Sequence, residues 1–253
     1  MKVNADYHNH TKYSGDGFGK IEEKAISAEK KGLSQIAITD HGFAHRINGI
    51  SRQDLKEMRK EVDRINQKYK VDVLLGVEGN LIGRDGTTDI TKDDEKILDI
   101  VLVGFHVFGK PKDMKERFKF FYMNFLAKLF FYTKKRIDIN TNAYINAIKK
   151  SNIDIITHPG HAMKVDAVKL AKACVKHDVM LELNGKRIQY KRSTFQDVIK
   201  TGVKFVINSD SHTNKGIGEC SHGINFAKKY NIPEEQIFNI GEFKNPKFKL
   251  GDN

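Results

Sequence analysis

The sequence predicts an α/β fold whose parallel strands close into a barrel, and three observations carry the prediction. Short apolar runs recur along the chain, separated by stretches of helical periodicity, which is the order of a parallel sheet with right-handed crossovers. Seven such strands are enough to close a barrel, and 253 residues is the size of one barrel domain. Nearly every strand also ends on a metal-binding or proton-carrying residue, as expected where C-terminal strand ends converge on one site.

In chain order, Val3 to Tyr7 forms the first strand, leading into His8-Asn9-His10 and Ser14-Gly15-Asp16-Gly17. Ile21 to Lys31 follows as a helix, with Ile21, Ala25, Ile26 and Ala28 on one stripe and Gly32 as its stop. Gln35 to Thr39 is the second strand, ending in Asp40-His41-Gly42. A charged helix runs from Asp54 to Tyr69 with Leu55, Met58, Val62 and Ile65 at helical spacing. Val73 to Val77 is the third strand, ending in Glu78-Gly79. After a short helical stretch near Asp93 to Leu98, Ile100 to Val103 forms the fourth, ending in Gly104-Phe105-His106. The fifth, Ile153 to Thr157, ends in His158-Pro159-Gly160. A helix over Val165 to His177 leads to the sixth strand, Val179 to Leu183, which ends at Asn184. A helix over Thr194 to Thr201 precedes the last strand, Lys204 to Asn208, which ends in Ser209-Asp210-Ser211-His212.

One stretch breaks this rhythm, an insertion at about 109–140. There Lys110, Lys112, Lys115, Arg117, Lys119, Lys128, Lys134, Lys135 and Arg136 interleave with eight Phe or Tyr. The expected structure is an inserted helix or helical hairpin that packs its aromatics on the barrel and leaves a solvated basic face. A lid, a dimer contact, and a nucleic-acid or membrane surface are the alternatives.

Composition is that of a soluble globular chain, 39% hydrophobic and 30% charged, so disorder is excluded. The net charge of +12 favours anionic partners without choosing among phosphates, nucleic acid and anionic membrane. Cys174 and Cys220 form neither a CxxC pair nor a disulfide framework, which fits a reducing compartment and a cytoplasmic location. No basic segment followed by an apolar core opens the chain, and no run approaches ~20 apolar residues. Neither export nor a membrane span is expected, and oligomeric state is left open.

The strand ends supply six histidines and three carboxylates: His8, His10, Asp16, His41, Glu78, His106, His158, Asp210 and His212. One ion cannot use nine ligands, so two to three divalent metal ions are implied, with imidazole and carboxylate suiting Zn, Mn or Fe. Glu78 is the natural bridge, because a carboxylate can hold two ions close enough to share a hydroxide.

These motifs resemble the PHP (polymerase and histidinol phosphatase) family of metallophosphoesterases. The resemblance rests on His8-x-His10, Ser14-Gly15-Asp16-Gly17, Thr39-Asp40-His41-Gly42, Gly76-Val77-Glu78, His106, His158-Pro159-Gly160 and Ser209-Asp210-Ser211-His212, and leaves out only Gly109 to Asn140. It implies a single domain over residues 1–253, folded as a distorted seven-stranded (β/α) TIM-like barrel. It assigns His8, His10, Glu78 and Asp210 to a first metal, Glu78, His106 and His158 to a second, and Asp16, His41 and His212 to a third. Some members have His where this chain has Asp16. The implied reaction is phosphoester hydrolysis by a metal-bridging hydroxide, with Asp210 or a metal-bound water protonating the leaving group. Small phosphate monoesters of the histidinol phosphate kind are the expected substrates.

Arg187, Lys186 and Arg46 lie past strand ends, where a cation could hold a substrate phosphate; Arg187 is preferred for its forked geometry. Asn184 is expected to orient a ligand or a water, and Asp40 to hold a neighbouring histidine. His177 is read as a surface or helix-end residue; His45, His161 and His222 sit close to the ligand-bearing loops, where they either line the mouth or contact substrate, or are ordinary loop residues. The alternatives are a nuclease or nucleotide phosphatase, a non-catalytic metal-binding module, and a barrel hydrolase of amides or lactones.

Overall fold

The computed structural model describes residues 1–242 and Phe248. Seven parallel strands pair in chain order: β1 Ala5–Asp6, β2 Gln35–Ile38, β3 Asp72–Asn80, β4 Ile100–Gly104, β5 Ile155–Ile156, β6 Met180–Asn184 and β7 Phe205–Asn208. The ends of the sheet meet. Asn9 bridges Ser211 in parallel, with His10 N donating to Ser211 O (2.8 Å) and Ser211 N to His8 O (3.1 Å), so the barrel is nearly closed.

Alternation along the strands divides the apolar residues into two cores. Ala5, Tyr7, Ala37, Ile100, Leu102, Ile155, Met180 and Val206 fill the barrel interior. Their strand neighbours, including Ile36, Ile38, Val101, Val103, Leu181 and Ile207, face the surrounding helices. Followed toward the C-terminal ends, the inner rows turn polar: Leu74 to Gly76 to Glu78, Ile155 to Thr157, Met180 to Glu182 to Asn184, and Val206 to Asn208 to Asp210. All of the polar members are buried.

The helices are α1 Ile21–Lys30, α2 Arg52–Asn66, α3 Lys92–Glu95, α4 Met114–Glu116, α5 Met123–Leu129, α6 Lys134–Lys150, α7 Ala167–Lys176, α8 Phe195–Ile199 and α9 Ser221–Lys229. Helix α2 starts earlier than its periodicity indicates, because Asp54 is the third residue of a reciprocal cap. Ser51 Oγ accepts from Asp54 N (3.1 Å) and the Asp54 carboxylate accepts from Ser51 N (2.7 Å). Helix α9 lies beyond the last element expected from sequence. No helix among the described residues is long and apolar enough to cross a membrane.

Two differences from the sequence reading bear on the site. Strand β3 does not stop at Val77; Glu78, Gly79 and Asn80 continue the ladder against Leu102, Val103 and Gly104. Glu78 is thus fixed inside a strand and not carried on a loop. In the basic aromatic stretch, α4 runs into a π-helical turn at Arg117–Tyr122 and then α5. Asn140 falls within α6, which Thr133 caps, so the chain breaks before Thr133 and not at residue 140. Phe120 is fully buried, packing edge-on against Phe105 at 5.2 Å, and Phe121 is half-buried. Phe118, Tyr122, Phe125, Phe130 and Phe131 stand in solvent. The expected packing of the aromatics onto the barrel therefore holds for Phe120, Phe121 and the half-buried Tyr132, and fails for the other five. A π turn displaces the side-chain row, and one narrow face reaches the core.

Phe120→Ala is expected to destabilise the fold by about 3 kcal/mol, while Phe118→Ala stays within about 0.5 kcal/mol of the parent. Urea unfolding of both variants checks this, and equal losses would refute the assigned packing.

Candidate metal centre

Glu78 lies at the centre of the site, and its two oxygens have different surroundings. Oε1 accepts from Thr157 Oγ1 (2.9 Å) and meets His158 Nε2 (2.8 Å). Gly104 makes this possible, since a Cβ there would come within 2.5 Å of Thr157 Oγ1. Oε2 faces His41 Nδ1 (3.0 Å), His106 Nε2 (3.3 Å), His8 Nε2 (3.5 Å) and His10 Nε2 (3.8 Å). Yet Oε2 makes no hydrogen bond, and neither does His41 Nδ1 although it is the nearest of the four. Asp16 Oδ1 is likewise buried without a partner. Buried polar atoms left unpaired cost about 1–3 kcal/mol each, so this concentration calls for a cation among them.

The remaining sequence-predicted ligands converge on the same place. His8 and His10 have their Nε2 atoms 3.1 Å apart, and His10 Nε2 is 3.7 Å from Asp210 Oδ1. Asp16 Oδ2 lies 3.4 Å from His41 Nε2 and 3.5 Å from His212 Nε2. Three groups have their ligand atoms mutually within 4.8 Å: His8, His10 and Asp210; His41, Glu78 and His106; and His10, His41 and His212. His41 and His10 are each shared between two groups, so the donor set is one continuous cluster. Its chemistry, imidazole and carboxylate, fits two or three divalent ions.

Two of these ligand residues sit on strained backbone. His158 has φ 27° and Asp210 φ 54°, left-handed values that cost a residue other than glycine of the order of 1 kcal/mol. The barrel holds both against that preference, and both then point into the cleft.

Charge follows from this packing. Burial opposes ionisation of Glu78, but the imidazoles of His106, His8 and His158 outweigh it and hold the carboxyl well below its usual range. Burial likewise opposes a charge on His8, which Glu182, Glu78 and Asp210 overcome, raising it well above the ordinary imidazole value. For His41, the neighbouring carboxylates of Asp16 and Glu78 overcome burial and push it up to about 9. His158 is raised by Glu78 in the same way. Asp210, despite burial, is kept low by His8 and Lys186, so it is ionised and a proton acceptor before it can be a donor.

The residues that sequence reasoning missed lie mostly one layer deeper. Glu182 is fully buried; Oε1 meets His8 Nδ1 (2.7 Å) and accepts from Asn208 Nδ2 (3.1 Å), while Oε2 accepts from His158 N (2.7 Å) and Asn184 Nδ2 (3.0 Å). Asn184 also donates to Asp210 Oδ2 (3.1 Å), the orienting role expected of it. The signal for Glu182 was its place two residues after Met180 and two before Asn184 on an inward strand face. Asn80 holds His106 Nδ1 (2.8 Å) and is itself gripped by Asp89. Asn48 donates to Asp16 Oδ2 (2.7 Å).

The cleft has a volume of about 480 Å³, and His45, His161, Lys186 and Arg187 line it with the ligands. His45 stacks on His41 at 4.6 Å, and His161 packs edge-on to His158 at 5.6 Å. Both histidines belong to the site's wall, the mouth-lining one of the two readings open for them. Burial and the neighbouring positive charges push each down to about 4. Lys186 Nζ reaches His212 Nδ1 (2.9 Å) and Asp210 Oδ1 (3.4 Å). Arg46 does not line the cleft. It is exposed on an adjoining groove with Phe108, Arg117 and Tyr122. Asp40 contacts no histidine; it accepts from Thr11 N, Thr11 Oγ1 and Ser14 N, fixing the loop that carries Asp16. His177 caps α7, as expected, whereas His222 is exposed on α9, a helix the sequence reading did not include.

Comparison with known proteins agrees with this geometry. The PHP domain model matches residues 6–234. A probable phosphatase of Shewanella frigidimarina is 32% identical over 94% of this chain and 90% of its own. The structure resembles a putative histidinol phosphatase of Listeria monocytogenes with TM-score 0.61 and 17% identity, covering 85% of this chain and 97% of the other. It also resembles the histidinol phosphate phosphatase of Lactococcus lactis, solved with zinc, L-histidinol and phosphate. That likeness has TM-score 0.58 and 14% identity over 92% of this chain and 95% of the other.

Glu182→Gln is expected to move the titration of His8 in metal-free protein down by about one unit or more, because the largest charge opposing its desolvation is removed. Imidazole NMR measures it, and an unmoved His8 would show that the pair is not coupled.

Proposed function

The chain belongs to the PHP domain family and is a phosphoesterase hydrolase, and from that premise we propose that it hydrolyses small phosphate monoesters using two to three divalent metal ions. The observation that carries the metal reading is the unpaired Oε2 of Glu78, ringed by four imidazoles in a buried cleft. On this reading His8, His10, Glu78 and Asp210 hold a first ion, Glu78, His106 and His158 a second, and Asp16, His41 and His212 a third, with Zn, Mn or Fe as candidates. Bound there, such ions supply activation of water and neutralisation of phosphate charge.

The chain's own residues do the rest. Lys186 and Arg187 stand at the cleft and offer donors to phosphate oxygens, Arg187 through its fork. Ionised Asp210 first accepts the proton of the attacking water and can then return it to the leaving alkoxide. Glu182 and Asn80 hold the rings of His8 and His106, and Asn184 the carboxylate of Asp210, so that the ligand atoms stay aimed. Phe105, Val107 and Phe108 give the cleft an apolar wall for the alcohol part of the ester. A substrate of the histidinol phosphate kind fits a cleft of this size. The two buried cysteines, Cys174 and Cys220, suit a reducing compartment, and a cytoplasmic location is proposed with the activity.

The deciding experiment is a phosphoester panel on protein reconstituted with Mn, Fe or Zn, with metal content measured in each case. Turnover of monoesters is expected. Full metal loading with no turnover on any ester would overturn the proposal. Glu78→Gln is expected to lower bound metal and turnover together, turnover by about a hundredfold or more; unchanged values for both would refute the bridge.

Proton competition sets a further expectation. In the metal-free protein the surrounding carboxylates keep protons on His8, His41 and His158 to higher pH than an ordinary imidazole holds them, and a metal must displace them. Metal affinity should therefore climb as pH rises from 6.5, the ordinary imidazole value, through about 9, where His41 loses its proton. Calorimetric titration across that range tests the sign.

A further inference from the structure

The basic aromatic segment turns its apolar side chains outward, against the usual sense of an amphipathic helix. Leu129, Phe130 and Phe131 are 62%, 77% and 74% exposed, in direct succession. Phe118 and Tyr122, stacked at 5.4 Å, and Phe125 extend the same surface along the helical stretch. The rim is cationic: Lys115, Arg117, Lys119, Lys128, Lys134 and Lys135 are all exposed. Acidic charge offsets it only in part: Glu116 is buried and bound by the Arg84 guanidinium (2.8 Å), and exposed Asp113 stands beside six exposed cations.

We propose that this surface seats the protein on an anionic lipid bilayer, with Leu129, Phe130 and Phe131 entering the headgroup region and the surrounding lysines meeting lipid phosphates. Apolar side chains with a cationic rim are the composition that lies in a membrane interface without crossing it. A second copy of the chain fits less well, since a self-complementary contact would bring the cationic rims together. Nucleic acid would use the Phe118–Tyr122 stack but would leave three consecutive apolar side chains at the tip unused.

The surface adjoins the cleft directly. Val107 and Phe108 line the metal cleft and also the groove formed with Arg117, Phe121, Tyr122 and Phe125. The strap is pinned, with Arg46 N donating to Phe108 O (3.2 Å) and Lys110 N to Ala44 O (2.7 Å). Tyr132 Oη donates to Ala162 O (3.4 Å), tying the far end of the segment to the loop that carries His161. A docked bilayer would thus lie beside the mouth of the site. The docking itself does not depend on the phosphatase reading.

The test is co-sedimentation of the full-length, metal-loaded protein with vesicles of phosphatidylcholine, alone or with about one third phosphatidylglycerol. At least about tenfold more protein should sediment with the anionic vesicles, and less as salt rises. A Phe130→Ser, Phe131→Ser double variant should lose this binding while turning over soluble p-nitrophenyl phosphate at the parent rate. A Lys134→Glu, Lys135→Glu variant, altered only at exposed positions, should lose it too. Equal sedimentation with both vesicles, or binding that survives in both variants, overturns the proposal. So does a variant that dissolves a dimer in analytical ultracentrifugation or weakens single-stranded DNA binding while vesicle binding stays absent. A protein that binds vesicles but cleaves no phosphoester leaves the docking intact and removes the phosphatase reading alone.

Discussion

A carboxylate buried at the mouth of a barrel, with one oxygen satisfied and the other surrounded by imidazoles, is the constraint on which this structure is built. Glu78 cannot move, because it lies within β3 and its Oε1 is held by Thr157 and His158. Desolvating such a charge is expensive unless opposite charge is brought to it. Four strand ends and the loops after them deliver that charge as His8, His10, His41, His106 and His158. The same arrangement that stabilises the carboxylate raises His8, His41 and His158, so protons and cations compete for one set of atoms.

Beneath the site, four more buried carboxylates serve the backbone and the ligand rings. Asp6 accepts from Ser209 N, Ser209 Oγ and Gly218 N, joining the first strand to the turn that carries Asp210 and His212. Asp40 fixes the loop before Asp16, Asp89 grips Asn80 and Ala44 N, and Glu182 serves His8 and His158 together. Burial raises Asp6, Asp40 and Asp89, whereas Glu182 is held down because it faces imidazoles. That difference separates the carboxylates that organise loops from the one that tunes ligands. The loops bearing Asp16, His41 and His212 are long and irregular, and these bonds replace the ladder that a strand would provide.

The segment between β4 and α6 follows a different rule. Phe120 and Phe121 anchor it on Phe105, while Phe118, Tyr122, Phe125, Leu129, Phe130 and Phe131 face solvent. Since a barrel presents its active site on one face, an insertion after β4 necessarily emerges there. Its position links whatever that surface touches to the access route of the substrate.

The sequence alone determined the strand count, the parallel order and the nine converging candidate ligands, because short apolar runs and the polar residues that end them are local signals. His8, His41 and Asp210 were legible for that reason, and so was Asn184 at the end of the sixth strand. The tertiary structure decided what local pattern does not encode. Glu182 lies mid-strand and gains its role only because barrel closure brings β1 across to β6, which already pairs with β5; Asp40 turned to the Thr11–Ser14 loop because that loop folds over it. Arg46 fell outside the cleft because the pinned strap at Phe108 turns it into the next groove. The outward aromatics were misjudged because helical spacing reveals that a face is apolar but not which way it points. That direction is set by the π turn and by which of its residues the barrel has room to bury.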